Sequence, residues 1–267
     1  MSSFSFFEPM LAESVDVLPK NNDGKWIFEE KYDGMRVLFS NGYLVSRSGM
    51  RVDHAFPELH HELQKLPQNS VFDGELVILR DGLCDFDLVQ ERRQVENPFM
   101  IKYYSNRYPA TLMLFDVLVW EHERLTDLSL WERKKVLNDV SYVLQDGKIR
   151  VVPFSSFVDE IYRDGIEGIM AKRVDQGYYC GKRLWKKYRF MKEATVKVVD
   201  VEDHPAGCLL HTEEGWKVNL AGKKRTEIAK RLFEDRGEFK VEISYFEKTR
   251  KGELRFAKFK RFLEVVS

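Results

Sequence analysis

Lys31-Tyr32-Asp33-Gly34-Met35-Arg36 places an amine, a carboxylate, a flexible glycine and a guanidinium within one short strand-and-turn. A neutral lysine amine can attack the α-phosphorus of a nucleoside triphosphate, and burial or neighbouring cations supply that form by lowering its pKa. On that reading Lys31 would be the nucleophile and the product would be a lysyl-AMP phosphoramidate. An exposed Lys/Asp/Arg turn after a strand is the competing reading of so short a motif, so companions elsewhere in the chain must decide.

Four segments supply them. Phe72-Asp73-Gly74-Glu75 sets two carboxylates in the middle of an apolar strand, where unpaired charge is costly without a metal, a sugar hydroxyl or a cation; Glu75 is the one expected to face the site. Glu167-Gly168-Ile169-Met170-Ala171-Lys172-Arg173 puts a carboxylate at a strand entrance and a lysine within the strand. In Trp185-Lys186-Lys187-Tyr188-Arg189, Lys187 and Arg189 are two apart and share one face of a strand. Two aligned cations would grip an α-phosphate and favour a neutral Lys31. Phe115, in Leu114-Phe115-Asp116, offers a ring for a purine, core packing being its other role.

Strands and helices that must hold these groups alternate without a strict βαβ rhythm, which favours α+β. Residues 37–40, the Asn41-Gly42 pair and residues 43–47 predict a hairpin. Leu59, Leu63 and Leu66 have helical spacing; residues 71–79 predict a strand turning at Asp81-Gly82, and 111–120 another. Helices are expected over 130–144 and 157–163, with strands over 169–173 and 185–190. Beyond about Glu193 the spacing predicts short strands over 194–201, 208–211, 216–220, 239–246 and 254–262 around one helix, 225–233, which fits a small OB-type barrel. Its last strand is basic and interleaved with Phe256, Phe259 and Phe262, the make-up of a nucleic-acid groove or of a solvated face over core rings.

With 43% hydrophobic residues the 267-residue chain is an ordinary globular protein, long enough for two domains. Its net charge is zero, so attraction for nucleic acid has to come from local patches. Cys84, Cys180 and Cys208 form neither a metal pair nor a disulfide framework, which points to a reducing compartment, the cytoplasm by default. No basic n-region or long apolar run announces a signal peptide or membrane span. The six histidines, His60-His61 included, have no ligand spacing.

In order and spacing these elements resemble the nucleotidyltransferase motifs of ATP-dependent DNA ligases, together with Pro9-Met10-Leu11 near the start and Ser46-Arg47-Ser48-Gly49 on the hairpin. The resemblance implies a nucleotidyltransferase (adenylation) domain of antiparallel sheets with flanking helices over residues 1–192, then a DNA-binding OB-fold barrel over 193–267. It implies that Lys31 is adenylylated, that Glu29 contacts the adenine edge and Phe115 the base face, and that Arg36 and Glu75 hold the ribose and nearby phosphate. Glu30 and Lys172 join the nucleotide-binding set. Lys187 with Arg189 would neutralise the α-phosphate, and Arg47 would bind the 5′-phosphate of a nick, with Arg51, Lys258 and Lys260 as further DNA contacts. Glu167 and Glu75 would organise Mg2+, with Mn2+ as a substitute.

The implied reaction has three steps: AMP loads onto Lys31, passes to the 5′-phosphate, and is displaced by the 3′-hydroxyl. The implied partners are ATP and nicked duplex DNA, without a membrane, and the chain is expected to be a monomer. Related readings are an RNA ligase, a GTP-using capping-type enzyme, or a non-catalytic relative; the last should have lost one of Lys31, Glu75, Glu167 or Lys187, and all are present. Two departures stand out. Lys187-Tyr188-Arg189 replaces the usual Lys-x-Lys. The chain also runs into Leu263-Glu264-Val265-Val266-Ser267 without the Arg-x-Asp-Lys ending that orients pyrophosphate, leaving Lys260 or Arg261 as stand-ins. The short barrel and the absence of a domain before Phe4 predict a minimal ligase that grips DNA by its two domain faces, with a hinge near Lys192-Glu193.

Overall fold

A computed structural model describes residues 7–144 and 147–263. Phe4 and the run 264–267, on which two of the expectations above rest, lie outside the described residues. The chain divides into two compact units, Met1–Arg189 and Phe190–Ser267. The class is α+β and sheet-rich, with strands far outnumbering helices.

The first unit holds two sheets. One is seven-stranded and runs, in spatial order, Tyr43–Ser46, Met35–Ser40, Val71–Arg80, Ala110–Trp120 and Glu123–Arg124, with Leu83–Cys84 and Ile149–Val151 attached. The other is five-stranded: Leu11–Ser14, Arg183–Arg189, Gly168–Arg173, Trp26–Glu30 and Phe154–Ser155. Pairing is antiparallel except at Leu11–Ser14 against Arg183–Arg189 and Ile149–Val151 against Ala110–Trp120. Those two parallel pairs depart from the all-antiparallel expectation. Each joins segments far apart in sequence, so no hairpin signal announces it.

The hairpin forms as its sequence predicts. Asn41 and Gly42 both have positive φ, 48° and 83°, the conformation of a turn whose twist matches the flanking strands. The Leu130–Val143 helix starts at a capping box, Ser129 and Glu132 exchanging side-chain and backbone bonds. By contrast the Leu59, Leu63, Leu66 spacing produces only a 3-10 turn and one α-turn, His60–Leu63, although all three leucines are buried.

The helix expected over 157–163 is a single 3-10 turn, Val158–Glu160. Ser155 Oγ binds Glu160 and accepts the Phe157 N–H at 3.0 Å, while Arg163 is drawn off to Glu30, so side-chain bonds replace the helical ladder. Two further helices escaped the periodicity reading: Phe86–Arg93, capped by Asp85, and Pro98–Arg107, capped by Asn97 with Pro98 in its first turn. Both caps were readable.

The second unit is an antiparallel sheet in the order Lys217–Ala221, Gly207–Thr212, Lys192–His204, Phe239–Tyr245, Lys258–Phe262, with the Lys223–Arg236 helix between its third and fourth strands in the chain. Val196, Leu210, Val218, Leu232, Val241 and Ile243 fill its core. This is the OB pattern. Its last strand is shorter than the 254–262 expected. Leu254 makes only an isolated bridge to Lys248, and Phe256 sits at φ 57°, which breaks the extended run. Lys192 and Glu193 pair with Tyr245 and Ser244 inside the ladder, so only Phe190 and Met191 lie between the last strand of one unit and the first of the next.

Candidate active site

Lys31 follows directly on the buried Trp26–Glu30 strand, and its N–H bonds to the Gly168 carbonyl at 2.9 Å. That bond registers the lysine against the Gly168–Arg173 strand. Glycine is required at both flanks of this seam. A Cβ on Gly34 would lie 2.3 Å from the Leu76 carbonyl oxygen, and one on Gly168 1.9 Å from that of Tyr188. Backbones approach closely here, and the chemistry-bearing side chains are brought together as a result.

Lys31 Nζ is hydrogen-bonded to Glu167 Oε2, and Glu167 Oε1 accepts Arg189 Nε at 2.6 Å. The sequence paired Lys187 and Arg189 as twin phosphate grips; the structure separates them. Arg189 is engaged by Glu167, whereas Lys187 faces a cavity of about 270 Å³ and has no ion pair among the described residues. Burial, then the charges of Arg189 and Lys31, push the Lys187 ammonium below its ordinary pKa. An entering anion would relieve that strain.

The same cavity is lined by Glu29, Glu30, Lys31, Arg36, Arg47, Glu75, Phe115 and Lys172. Phe115 is half-buried, edge-on to Trp185 with ring centroids 5.8 Å apart, and the Lys172 ammonium lies 4.3 Å from its centroid. Glu29 is held between two buried ammoniums, Lys172 at 2.6 Å and Lys134 at 2.5 Å; the second contact lacks hydrogen-bond alignment. Glu30 is forked by Arg163 at 2.8 and 3.1 Å. Lys134 and Arg163 are residues that sequence reasoning missed, since nothing local links them to Glu29 and Glu30.

Arg36 stands directly across the ladder from Glu75, yet its guanidinium forks Asp73 at 2.6 and 2.9 Å. It also donates to the Met10 carbonyl at 2.6 Å. Tyr178, another residue the sequence did not single out, completes this knot by donating to Asp73 at 2.6 Å and accepting the Met10 N–H at 2.9 Å. Glu75 is thereby left with no hydrogen bond or ion pair among the described residues. Burial raises its carboxyl to about 8, against the partial pull of Lys31 and Arg36.

The raised value has a sign that can be checked. Proton binding by Glu75 stabilises the fold fully below its ordinary 4.5 and is lost as pH rises through about 8. Without nucleotide or metal, the parent protein should therefore lose stability relative to Glu75→Gln by roughly 1 kcal/mol per pH unit between about 4.5 and about 8, and level off above that. Thermal unfolding of the two proteins across this range is the measurement; parallel stability curves would contradict the burial of Glu75 as an unpaired acid.

An oxygen-ligated cation suits Glu75, a carboxylate without a partner beside a cavity. Glu167 fits as a second ligand only by releasing Lys31 or Arg189. Among the described residues no cluster of three metal-type side chains exists. Of the remaining expected residues, Arg51 is exposed, stacks 3.7 Å from the Tyr43 ring and forks Asp53, so its charge is already matched. Lys258 is exposed on the last strand of the second unit, and Lys260 there binds Glu193 and, at 3.0 Å, Glu242.

Residues 9–189 match the family model of the ATP dependent DNA ligase domain, and the chain belongs to that family. It is 29% identical over 214 residues to DNA ligase C of Mycobacterium tuberculosis, covering 74% of this chain and 58% of that protein. It is 31% identical over 213 residues to a DNA ligase of Thermococcus fumicolans, covering 73% and 38%. The chain thus spans between about a third and somewhat over half of the curated relatives it matches. The fold is that of a structure from a study of Lig E DNA ligases, at TM-score 0.71 and 18% identity over 97% of this chain and all of that one. It is also that of a mycobacterial DNA ligase D complexed with ATP and MES, at TM-score 0.60 and 23% identity over 98% and 97%. Among the described residues no helix is long and apolar enough to cross a membrane.

Proposed function

We propose that this protein is an ATP-dependent DNA ligase that seals 3′-hydroxyl/5′-phosphate nicks in duplex DNA through lysyl-AMP. The observation that carries the reading is the composition of one cavity. An aromatic shelf at Phe115, the Lys31 amine and the unpaired cations Lys187 and Arg47 line it together, as a purine nucleotide and its phosphates require.

Loading begins with Lys31 leaving Glu167 and losing a proton to solvent. Its lone pair forms the P–N bond while pyrophosphate departs with the electrons of the broken P–O bond. Lys187 stabilises charge on the α-phosphate, and Arg189 holds Glu167 in place once Lys31 has left it. A 5′-phosphate oxygen at Arg47 then attacks the same phosphorus, restoring the amine, and the 3′-hydroxyl finally displaces AMP as its proton is lost. Glu75 and Glu167, the latter once Lys31 has released it, would hold Mg2+, which would supply positive charge to the phosphate oxygens. Glu29 and Lys172 form the polar edge that meets the base, with Glu30 beside them, and Arg36 with Glu75 borders the ribose. Of the expected DNA contacts, Lys258 of the OB unit has no ion pair among the described residues, whereas Lys260 of that unit and Arg51 of the first must first give up their carboxylates.

Three free cysteines support action in the reducing cytoplasm, and two small units with their own cores support a monomer. Because phosphate contacts carry the affinity, log affinity for a nick should fall with log salt by about 0.9 per phosphate contact. Affinity nearly flat between low and physiological salt would contradict the proposed grip. To separate DNA ligase from RNA ligase or capping-type enzyme, the protein is loaded with α-labelled ATP or GTP and chased with nicked DNA or nicked RNA. Label should load from ATP and leave only with nicked DNA; loading from GTP, or discharge by RNA alone, would overturn the assignment.

A further inference from the structure

Most guanidiniums of the first unit are neutralised: Arg36 by Asp73, Arg92 by Glu58, Arg133 by Asp116, Arg163 by Glu30. Arg47 and Arg93 are different. Neither has a hydrogen bond or ion pair among the described residues, and both line one cavity of about 470 Å³. That cavity shares Arg36, Arg47 and Glu75 with the nucleotide cavity, so the two adjoin. Ser46, Ser48 and Gln90 add neutral donors, and Glu75 is its one acidic residue.

The position of Arg93 is set from behind. It ends the Phe86–Arg93 helix, and the preceding Arg92 is buried with hydrogen bonds to Glu58 at 2.7 and 3.1 Å, to the Ala55 carbonyl at 2.8 Å and to the Tyr108 carbonyl at 2.7 Å. With Arg92 fixed inward, its neighbour is turned to another side of the helix, the one shared with Gln90 three residues earlier. A half-buried guanidinium without a counter-charge is costly unless an anion completes it.

We propose that Arg93, assisted by Gln90, is a second phosphate-binding residue of this protein, acting beside Arg47 on the DNA strand whose 5′ end lies at the nick. The inference rests on the ligase reading of the adjoining nucleotide cavity. Arg93 acts on DNA after Lys31 is loaded, and so belongs to the second and third steps. The phosphate is either the terminal 5′-phosphate or the internucleotide phosphate beside it.

The test titrates the parent protein, Arg93→Gln and Arg93→Lys with a nicked duplex carrying a 5′-phosphate and with the same duplex carrying a 5′-hydroxyl, over a range of salt. Lysyl-AMP formation is measured separately without DNA. Arg93→Gln should weaken nick binding about tenfold at physiological salt and lower the salt slope by about one, while still forming its adduct from ATP. Arg93→Lys should restore the slope with part of the affinity. A loss confined to the 5′-phosphorylated duplex places Arg93 on the terminal phosphate, and a loss with both places it on the internucleotide one. An unchanged slope and affinity would overturn the Arg93 assignment alone if the parent protein loads and seals normally. A fall in DNA-free adduct as large as the fall in sealing would also overturn it, because the residue would then serve the nucleotide site or the fold. A parent protein that forms no adduct overturns this inference together with the ligase reading.

Discussion

Lys31→Ala should abolish the covalent adduct, lowering adduct formation and overall nick sealing by a factor on the order of 10⁴ or more. Among the described residues no other amine of the cavity is placed to take over. Lys187 shares the cavity but stands two strands from Lys31, on Arg183–Arg189, and Lys172 is buried against Glu29. Lys31→Arg should fail equally, because a guanidinium stays protonated and offers no lone pair. The variant should remain folded, since Lys31 is partly exposed and Glu167 keeps Arg189 as a partner. A nick already carrying AMP on its 5′-phosphate bypasses the lysine, so Lys31→Ala should still seal that substrate. Loss of sealing on the pre-adenylylated nick as well would show that the substitution had damaged more than the nucleophile.

The largest expected stability effect lies behind the shelf rather than in the cavity. Asp116 follows Phe115 and is fully buried, as is Arg133 on the Leu130–Val143 helix. Arg133 binds Asp116 at 2.7 and 3.0 Å and also donates to the carbonyls of Leu128 and Gln176 at 2.6 and 3.2 Å. Arg133→Met removes one charge, strands the other and frees two carbonyls. We expect a loss of about 3–5 kcal/mol of stability in denaturant unfolding. Replacing both partners, as Arg133→Met with Asp116→Leu, should cost much less, because no buried charge is left alone. If the double variant were no more stable than the single one, the cost would have to come from packing.

The contrast between Lys31 and Arg133 shows how far sequence reasoning reaches. Lys31, Glu75, Glu167 and Lys187 were legible because each sits in a short segment whose chemistry is unusual for a strand. The hairpin was legible because Asn-Gly is demanded by its two positive φ values. Arg133, Lys134 and Tyr178 were not, because each acts on a residue outside its own segment: Arg133 reaches back 17 positions to Asp116 and Tyr178 105 to Asp73. Charge alone shows only part of the picture. Arg51 and Lys260 read as DNA contacts, and the structure adds that Asp53 pairs with the first and Glu193 and Glu242 with the second. Arg93 shows the converse, an unremarked arginine in Glu91-Arg92-Arg93 whose freedom appears only once Arg92 is seen to be buried.

That Lys31 is the covalent carrier of AMP is the central claim, and mapping the adduct tests it most directly. The protein is incubated with Mg2+ and ATP labelled at the α-phosphate or, separately, at the γ-phosphate, then digested, and the labelled peptide is sequenced. The account predicts acid-labile label from the α-position only, on Lys31. Label retained from the γ-position, label on another residue, or no label at all would contradict it.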